Sequence, residues 1–292
     1  MHNYRARGFY GEENNSLDIA AIGNSDLASG FSPMELWKSH GITGFACGEP
    51  NQTIDQSVRL LQEVLTCQKP KVVILETDTL FQENMEGHLT SLVKTAVNYL
   101  FPVLEYHDRW KSVTLSELMG KQQKPWHDPG KGYRYSGDRV AYKGDDYMAE
   151  TKEKEEIDAI AMKSLDQFVE ICQKAGIQVM FMEMPSANSW NMARHRAVAD
   201  YASSRNISFI DFNMKDRMKE TGFDWMTDSR DGGNHLNYSG AKKISVWLGD
   251  YLVKDYQLED HRKDSRYQRW QQDVSAYDRI VLGAVHQTAD ES

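Results

Sequence analysis

A serine hydroxyl becomes a useful nucleophile only when a neighbouring imidazole takes its proton, and the imidazole works best when a carboxylate fixes its orientation. The three residue types must therefore converge, and this sequence offers such a set. Ser25 stands in Gly23-Asn24-Ser25-Asp26, directly after the apolar run LDIAAIG. Far downstream, Asp231-Gly232-Gly233-Asn234-His235 precedes a helical pattern. In this reading Ser25 is the nucleophile, His235 the general base and Asp231 the acid that holds the imidazole, with Asp228 the competing acid. Taken singly, Ser25 reads equally as a turn serine and His235 as a helix-capping residue.

For the two loops to meet, the strands that lead to them must share a sheet. LDIAAIGNSD (17 to 26) ends an apolar run in a turn, as a buried strand leaving its sheet does. Residues 31 to 41 read as a short helix with Ser32 as N-cap, Pro33 at the first helical position and Gly41 as the stop. A strand is expected over 42 to 48, a helix over 53 to 68 and a strand over 71 to 77. After a long interruption come a helix over 155 to 176, a strand over 177 to 185, a helix over 194 to 206, a strand over 207 to 213 and a closing helix over 240 to 256. Continuously apolar strands alternating with helices imply a parallel sheet covered on both faces. Ligands of such open sheets bind beyond the carboxyl ends of the strands, where Ser25 falls.

Residues 82 to about 155 break the rhythm. A helix over 87 to 101 is followed by polar, aromatic and glycine-rich sequence, expected to be an insertion that forms part of a substrate cleft or lid. Residues 257 to 292 read as a surface-wrapping tail of one domain spanning 1 to 292. The composition, 40% hydrophobic and 26% charged, is that of a folded globular chain. With 43 acidic against 34 basic residues and a net charge of -9, nucleic acid and anionic membrane surfaces are disfavoured as partners. Cys47, Cys67 and Cys172 form neither a disulfide framework nor a C-x-x-C pair and are expected in the core. No apolar run reaches membrane-spanning length, and the first residues lack the apolar stretch of a signal peptide. His107, Asp108, His127 and Asp128 fit no metal spacing, so neither metal nor cofactor is expected.

Gly23-Asn24-Ser25-Asp26 resembles the G-D-S block of the SGNH/GDSL hydrolases, and D-G-G-N-H-L-N at 231 to 237 resembles their final acid-and-histidine block. YHDRW (106 to 110), KGY (131 to 133), PSANSW (185 to 190), HLNYSGAKK (235 to 243) and DHRKDSRYQRW (260 to 270) resemble a Gram-positive bacterial branch similar to the D-alanyl-lipoteichoic-acid transfer proteins. The resemblance covers nearly the whole chain. It implies a three-layer α/β/α sandwich with a flavodoxin-like parallel sheet, interrupted by a mid-chain insertion. It also implies that the backbone amide of Ser25 is one oxyanion donor and that Gly48, the match of the second-block glycine, supplies another. In the third block Asp78 replaces the expected asparagine, and an ionised carboxylate would repel an oxyanion. Asp78 would then be protonated, bind a polyol, or leave the third donor to another group. The acid block departs too: the family spacing falls on Gly232, and Asp231 stands one residue earlier.

Trp190, Asn191 and Arg194 at the sheet's carboxyl edge, with Trp110 in the insertion, are the expected substrate contacts, since an aromatic face suits the C–H face of a sugar ring. The expected function is a serine-dependent acyl esterase or O-acyltransferase. Its substrate would be an acylated carbohydrate or cell-wall polymer, its acceptor water or a carbohydrate hydroxyl, and its associate a membrane acyl-transfer partner. The alternative is a catalytically weak or inactive protein of the same fold that binds a glycan or envelope partner, suggested by the departures at Asp78 and in the acid block. The resemblance further implies an extracellular location, with a membrane anchor lying outside this chain.

Overall fold

The computed structural model describes residues 3–82 and 126–289. Five strands, β1 Ile19–Gly23, β2 Gly44–Gly48, β3 Val72–Glu76, β4 Gln178–Glu183 and β5 Ser208–Asp211, pair in parallel in the order β2-β1-β3-β4-β5. Among the described residues the helices are a single turn at Asn3–Ala6, α1 Ser25–Gly30, α2 Pro33–His40, α3 Ile54–Val64, α4 Ala159–Lys174, α5 Met192–Ser204, α6 Lys215–Thr221, α7 Tyr238–Tyr256 and α8 Gln268–Ala289.

Side chains alternate across a strand, and that alternation sorts the core into two layers. Ile19 and Ala21 join Met180, Met182 and Ile210 on one face, while Ala20 and Ile22 join Val73, Leu75 and Phe181 on the other. α2 and α7 pack together over the first face, contributing Leu36, Ile244 and Leu248. α3 and α4 cover the second with Leu60, Leu61, Leu165 and Phe168. The architecture is thus the α/β/α sandwich that the apolar strand pattern demands. Local signals set the helix ends: Ser32 caps α2 ahead of Pro33, Gly41 ends it at φ 70°, and Thr53 with Gln56 forms a capping box on α3.

The C-terminal segment does more than wrap the surface. α8 carries Trp270, Tyr277 and Val281 on one helical face, and all three are buried in the core. Tyr277 Oη lies 2.8 Å from Ser32 Oγ, joining α8 to the start of α2. Asp273 of α8 holds the fully buried Lys131 at 2.7 Å, and Glu12 holds the same ammonium at 2.8 and 2.9 Å. Such a buried cation is tolerable only while both acids remain.

The described end of the insertion runs as a strap from the outer edge of β2, past α1, to the loop before α7. Lys131 O accepts from Ala46 N of β2 at 2.9 Å, and Arg134 N donates to Ala28 O of α1 at 2.6 Å. Further on, Val140 N donates to Ser229 O at 2.9 Å and Tyr142 N to Trp225 O at 3.2 Å. Gly132, at φ 87°, makes the first contact feasible, because a Cβ there would stand 1.9 Å from Ala46 O. His127 bonds Asp273 at 2.7 Å, and Asp128 accepts from the backbone of Gly130 and Gly132, so this His-Asp pair builds a turn. The helix expected over 87 to 101, His107, Asp108 and Trp110 lie outside the described residues.

Candidate active site

β1 ends at Gly23, and Asn24 turns the chain into α1. Its Oδ1 accepts from Asp26 N at 2.7 Å and its Nδ2 donates to Asp78 at 2.8 Å, while its own N–H donates to Glu76 at 3.0 Å. Ser25 is therefore the first residue of α1, where a helix start leaves backbone N–H groups without intrahelical acceptors. The sheet order reverses between β1 and β3, the place where open α/β sheets leave a crevice.

The loop between α6 and α7 brings the other two groups. Ser229 Oγ gathers Gly232 N at 3.0 Å and Gly233 N at 3.1 Å, and these two glycines adopt φ of 80° and 125°, which side chains rarely tolerate. The turn folds Asp231 back onto His235. Asp231 Oδ1 accepts from the N–H groups of Asn234 and His235 at 3.1 and 2.9 Å, and Oδ2 lies 2.5 Å from His235 Nδ1. His235 Nε2 lies 3.0 Å from Ser25 Oγ. Partial burial would raise the Asp231 carboxyl, but the hydrogen bonds from His235 override it and hold the group at about 2. Asp228 is buried and bonded to Lys243 at 2.7 Å and to Asp224 N at 2.7 Å, away from the imidazole.

Several residues read as substrate contacts are spent inside the protein. Trp190 is 3% exposed, donates Nε1–H to Asp211 at 2.9 Å and meets Phe81 edge-on. Asn191 is the N-cap of α5, its Oδ1 accepting from Ala193 N and Arg194 N. Arg194 divides its guanidinium among Glu155 at 2.9 Å, Asp78 at 3.1 Å and Ser189 O at 2.5 Å. Trp190 is thus buried, while Asn191 and Arg194 are half-buried with their polar groups engaged in the fold. Asp78, placed among the oxyanion groups by sequence, is corrected likewise: it is buried, and both its oxygens accept, from Arg194 on one side and from Asn24 and Gln82 on the other. At Gly48 a Cβ would lie 2.5 Å from Asn24 O, so glycine there lets β2 approach the nucleophile turn.

Sequence reasoning passed over a set of buried acids beneath Ser25. Burial and Asp78 push the carboxyls of Asp26 and Glu76 well above their usual range, and burial with Glu76 does the same to Glu183. Ser186 and Ser189, from the loop after β4, face Asp26. The available signal was adjacency: Asp26 follows the nucleophile in the chain. Among the described residues, Asp26, Glu76 and Asp78 form the group of carboxylates close enough to share a cation, with one oxygen of each within 4.8 Å of the others. Donors already occupy both Asp78 oxygens and one of Glu76, and Arg194 supplies positive charge.

No family model and no curated relative matches the chain. Solved structures do overlap it. A lipase/acylhydrolase from Enterococcus faecalis is 9% identical, with 84% of this chain and 98% of that one covered at a TM-score of 0.43. A family 3 carbohydrate esterase from Clostridium thermocellum is 14% identical, covering 82% and 97% at 0.42. A GDSL-like lipase from Bacteroides thetaiotaomicron is 10% identical, covering 81% and 87% at 0.39. At such identities and scores, the chemistry has to be read from the site's own geometry.

Proposed function

We propose that the protein is a serine-dependent acyl-ester enzyme, an esterase or O-acyltransferase acting on an acylated carbohydrate of the cell wall or of an exported glycan. The observation that carries the reaction type is the contact chain from Asp231 Oδ2 through His235 to Ser25 Oγ, 2.5 and 3.0 Å in its two links. Ser25 Oγ attacks the ester carbonyl carbon while His235 Nε2 takes its proton. The bond to the leaving alcohol breaks, and the imidazolium returns that proton to the departing oxygen. The acyl group then passes from Ser25 to the acceptor by the same route. The amides of Ser25 and Gly48 are the oxyanion donors of this reading, a contact worth roughly 3 kcal/mol in related chemistry.

The glycan class is supported by the sequence resemblance, which also favours an extracellular, membrane-anchored protein with a membrane acyl-transfer partner. Among the described residues no helix is long and apolar enough to cross a membrane. The test is mass spectrometry after incubation with a fluorophosphonate, paired with release of p-nitrophenol from p-nitrophenyl acetate. We expect an adduct on Ser25 and turnover in the wild type, and neither in Ser25→Ala. Turnover that persists in Ser25→Ala overturns the reading, whereas no adduct in either protein favours the non-catalytic glycan binder.

A further inference from the structure

Asp26 is 2% exposed and stands next to the nucleophile in the chain. Its Oδ2 lies 3.3 Å from Ser189 Oγ, which in turn lies 2.7 Å from Ser186 Oγ. Its Oδ1 has no hydrogen-bond partner among the described residues and stands 3.6 Å from His235 Nε2. A buried carboxylate oxygen without a donor is costly, and such groups concentrate where something else completes them. This one is at the reacting end of the imidazole, the same nitrogen that faces Ser25 Oγ at 3.0 Å. Asp231 and Asp78, by contrast, have protein donors on both oxygens.

We infer that Asp26 is a specificity-determining residue that selects water, over an alcohol, as the acceptor of the acyl group. The inference rests on the acyl-Ser25 reading above and deepens it. Once Ser25 is acylated its Oγ has no hydrogen to offer, and two acceptors, Nε2 and Asp26 Oδ1, stand 3.6 Å apart beside it. A single oxygen atom can stand within hydrogen-bond reach of both. Water carries two hydrogens and satisfies both acceptors. An alcohol carries one, so it leaves either the base or the buried carboxyl oxygen without a donor and sets its carbon where the second hydrogen belongs.

The step balances. The water oxygen bonds to the acyl carbon as Nε2 takes one of its hydrogens, and the other hydrogen remains on that oxygen, directed at Asp26. The carbon–Oγ bond then breaks, Nε2 returns its proton to Oγ, and a carboxylic acid and free Ser25 result. Burial and Asp78 raise the Asp26 carboxyl and keep it protonated; with that proton on Oδ2 beside Ser189 Oγ, Oδ1 is left as a carbonyl acceptor.

The experiment turns over p-nitrophenyl acetate in a fixed concentration of methanol, with p-nitrophenol reporting acylation and gas chromatography reporting methyl acetate against acetate. Acetate should dominate with the wild type. Asp26→Leu should raise the methyl acetate to acetate ratio up to about tenfold, the upper worth of one hydrogen bond. Asp26→Asn, which keeps a carbonyl acceptor, should fall between. An unchanged ratio in Asp26→Leu overturns the inference. Should that variant not fold, an unchanged ratio in Asp26→Asn, or methyl acetate as the main wild-type product, overturns it instead. A wild type with no Ser25-dependent release of p-nitrophenol removes the acyl-enzyme itself, a result distinct from an unchanged partition.

Discussion

Among the described residues, two aspartate–histidine pairs meet through Nδ1, Asp231 with His235 at 2.5 Å and Asp211 with His195 at 2.7 Å. Their surroundings differ. Asp211 sits at the end of β5, almost fully buried, and also accepts from Trp190 Nε1 at 2.9 Å and from the backbone and side chain of Asn213 at 2.8 Å each. It ties α5, the loop after β4 and the loop after β5 together, and the ring of His195 leans on Phe209. Among the described residues no serine hydroxyl bonds to His195. Asp231 is about a third open at its side chain (35%) and serves only its own loop, and the histidine it holds meets a serine at a strand end. An aspartate–histidine pair is therefore no signature of catalysis in itself; the partner of the second nitrogen decides.

The sharpest way to break that comparison is to blunt each acid in turn. Asp231→Asn should lower kcat for ester turnover by about 10⁴, through loss of the productive imidazole tautomer, and cost at most about 1 kcal/mol of stability at neutral pH, the side chain being partly solvent-screened. Asp211→Asn should do the reverse, costing about 2 kcal/mol in urea unfolding and leaving kcat within about threefold. Equal loss of turnover in both variants would erase the distinction. Arg194→Leu strands the buried Asp78 and should cost about 3 kcal/mol of stability, with KM for an ester substrate unchanged if Arg194 serves the fold and not the ligand.

The smallest expected effect concerns the sign of pH dependence. Asp231 is lowered from 3.8 to about 2, so its contribution to stability is present above about pH 4 and fades as pH falls toward 2. Glu183 is shifted the other way by burial and Glu76: the folded protein keeps a proton that the unfolded chain releases, so stability is lost as pH rises above the usual carboxylate range. Glu183→Gln should therefore raise the unfolding temperature by about 2 °C or more at pH 8 and by less at pH 5. An identical shift at both values would show that the proton on Glu183 is not what matters.

The strand and helix order was legible because apolar runs and caps act over a few residues. The strands come out shorter than the runs, since the chain leaves the ladder as soon as the next turn begins, as Asn24 does after Gly23. α1, α6 and α8 were not anticipated. α1 is only six residues long and its sequence reads as a turn, and the apolar positions of α8 are diluted by charge. The roles of Trp190, Asn191 and Arg194 were less legible for a different reason. Trp, Asn and Arg bind sugars, but the same types fill cores, cap helices and neutralise buried acids, and only the packing of α5 against the sheet decides which face they show.

By itself the sequence determined the alternation of strands and helices, with a serine early in the chain after the first strand and a histidine late, before the last expected helix. Tertiary structure alone decided which acid reaches the imidazole. Asp228 and Asp231 are three residues apart; Lys243 of α7 captures the first, and the left-handed turn at Gly232 and Gly233 aims the second at Nδ1. It also set Ser25 within 3.0 Å of a histidine 210 residues away and put Asp26 beside them. Such contacts depend on how the loops at the carboxyl edge of the sheet converge, and no local propensity encodes that convergence.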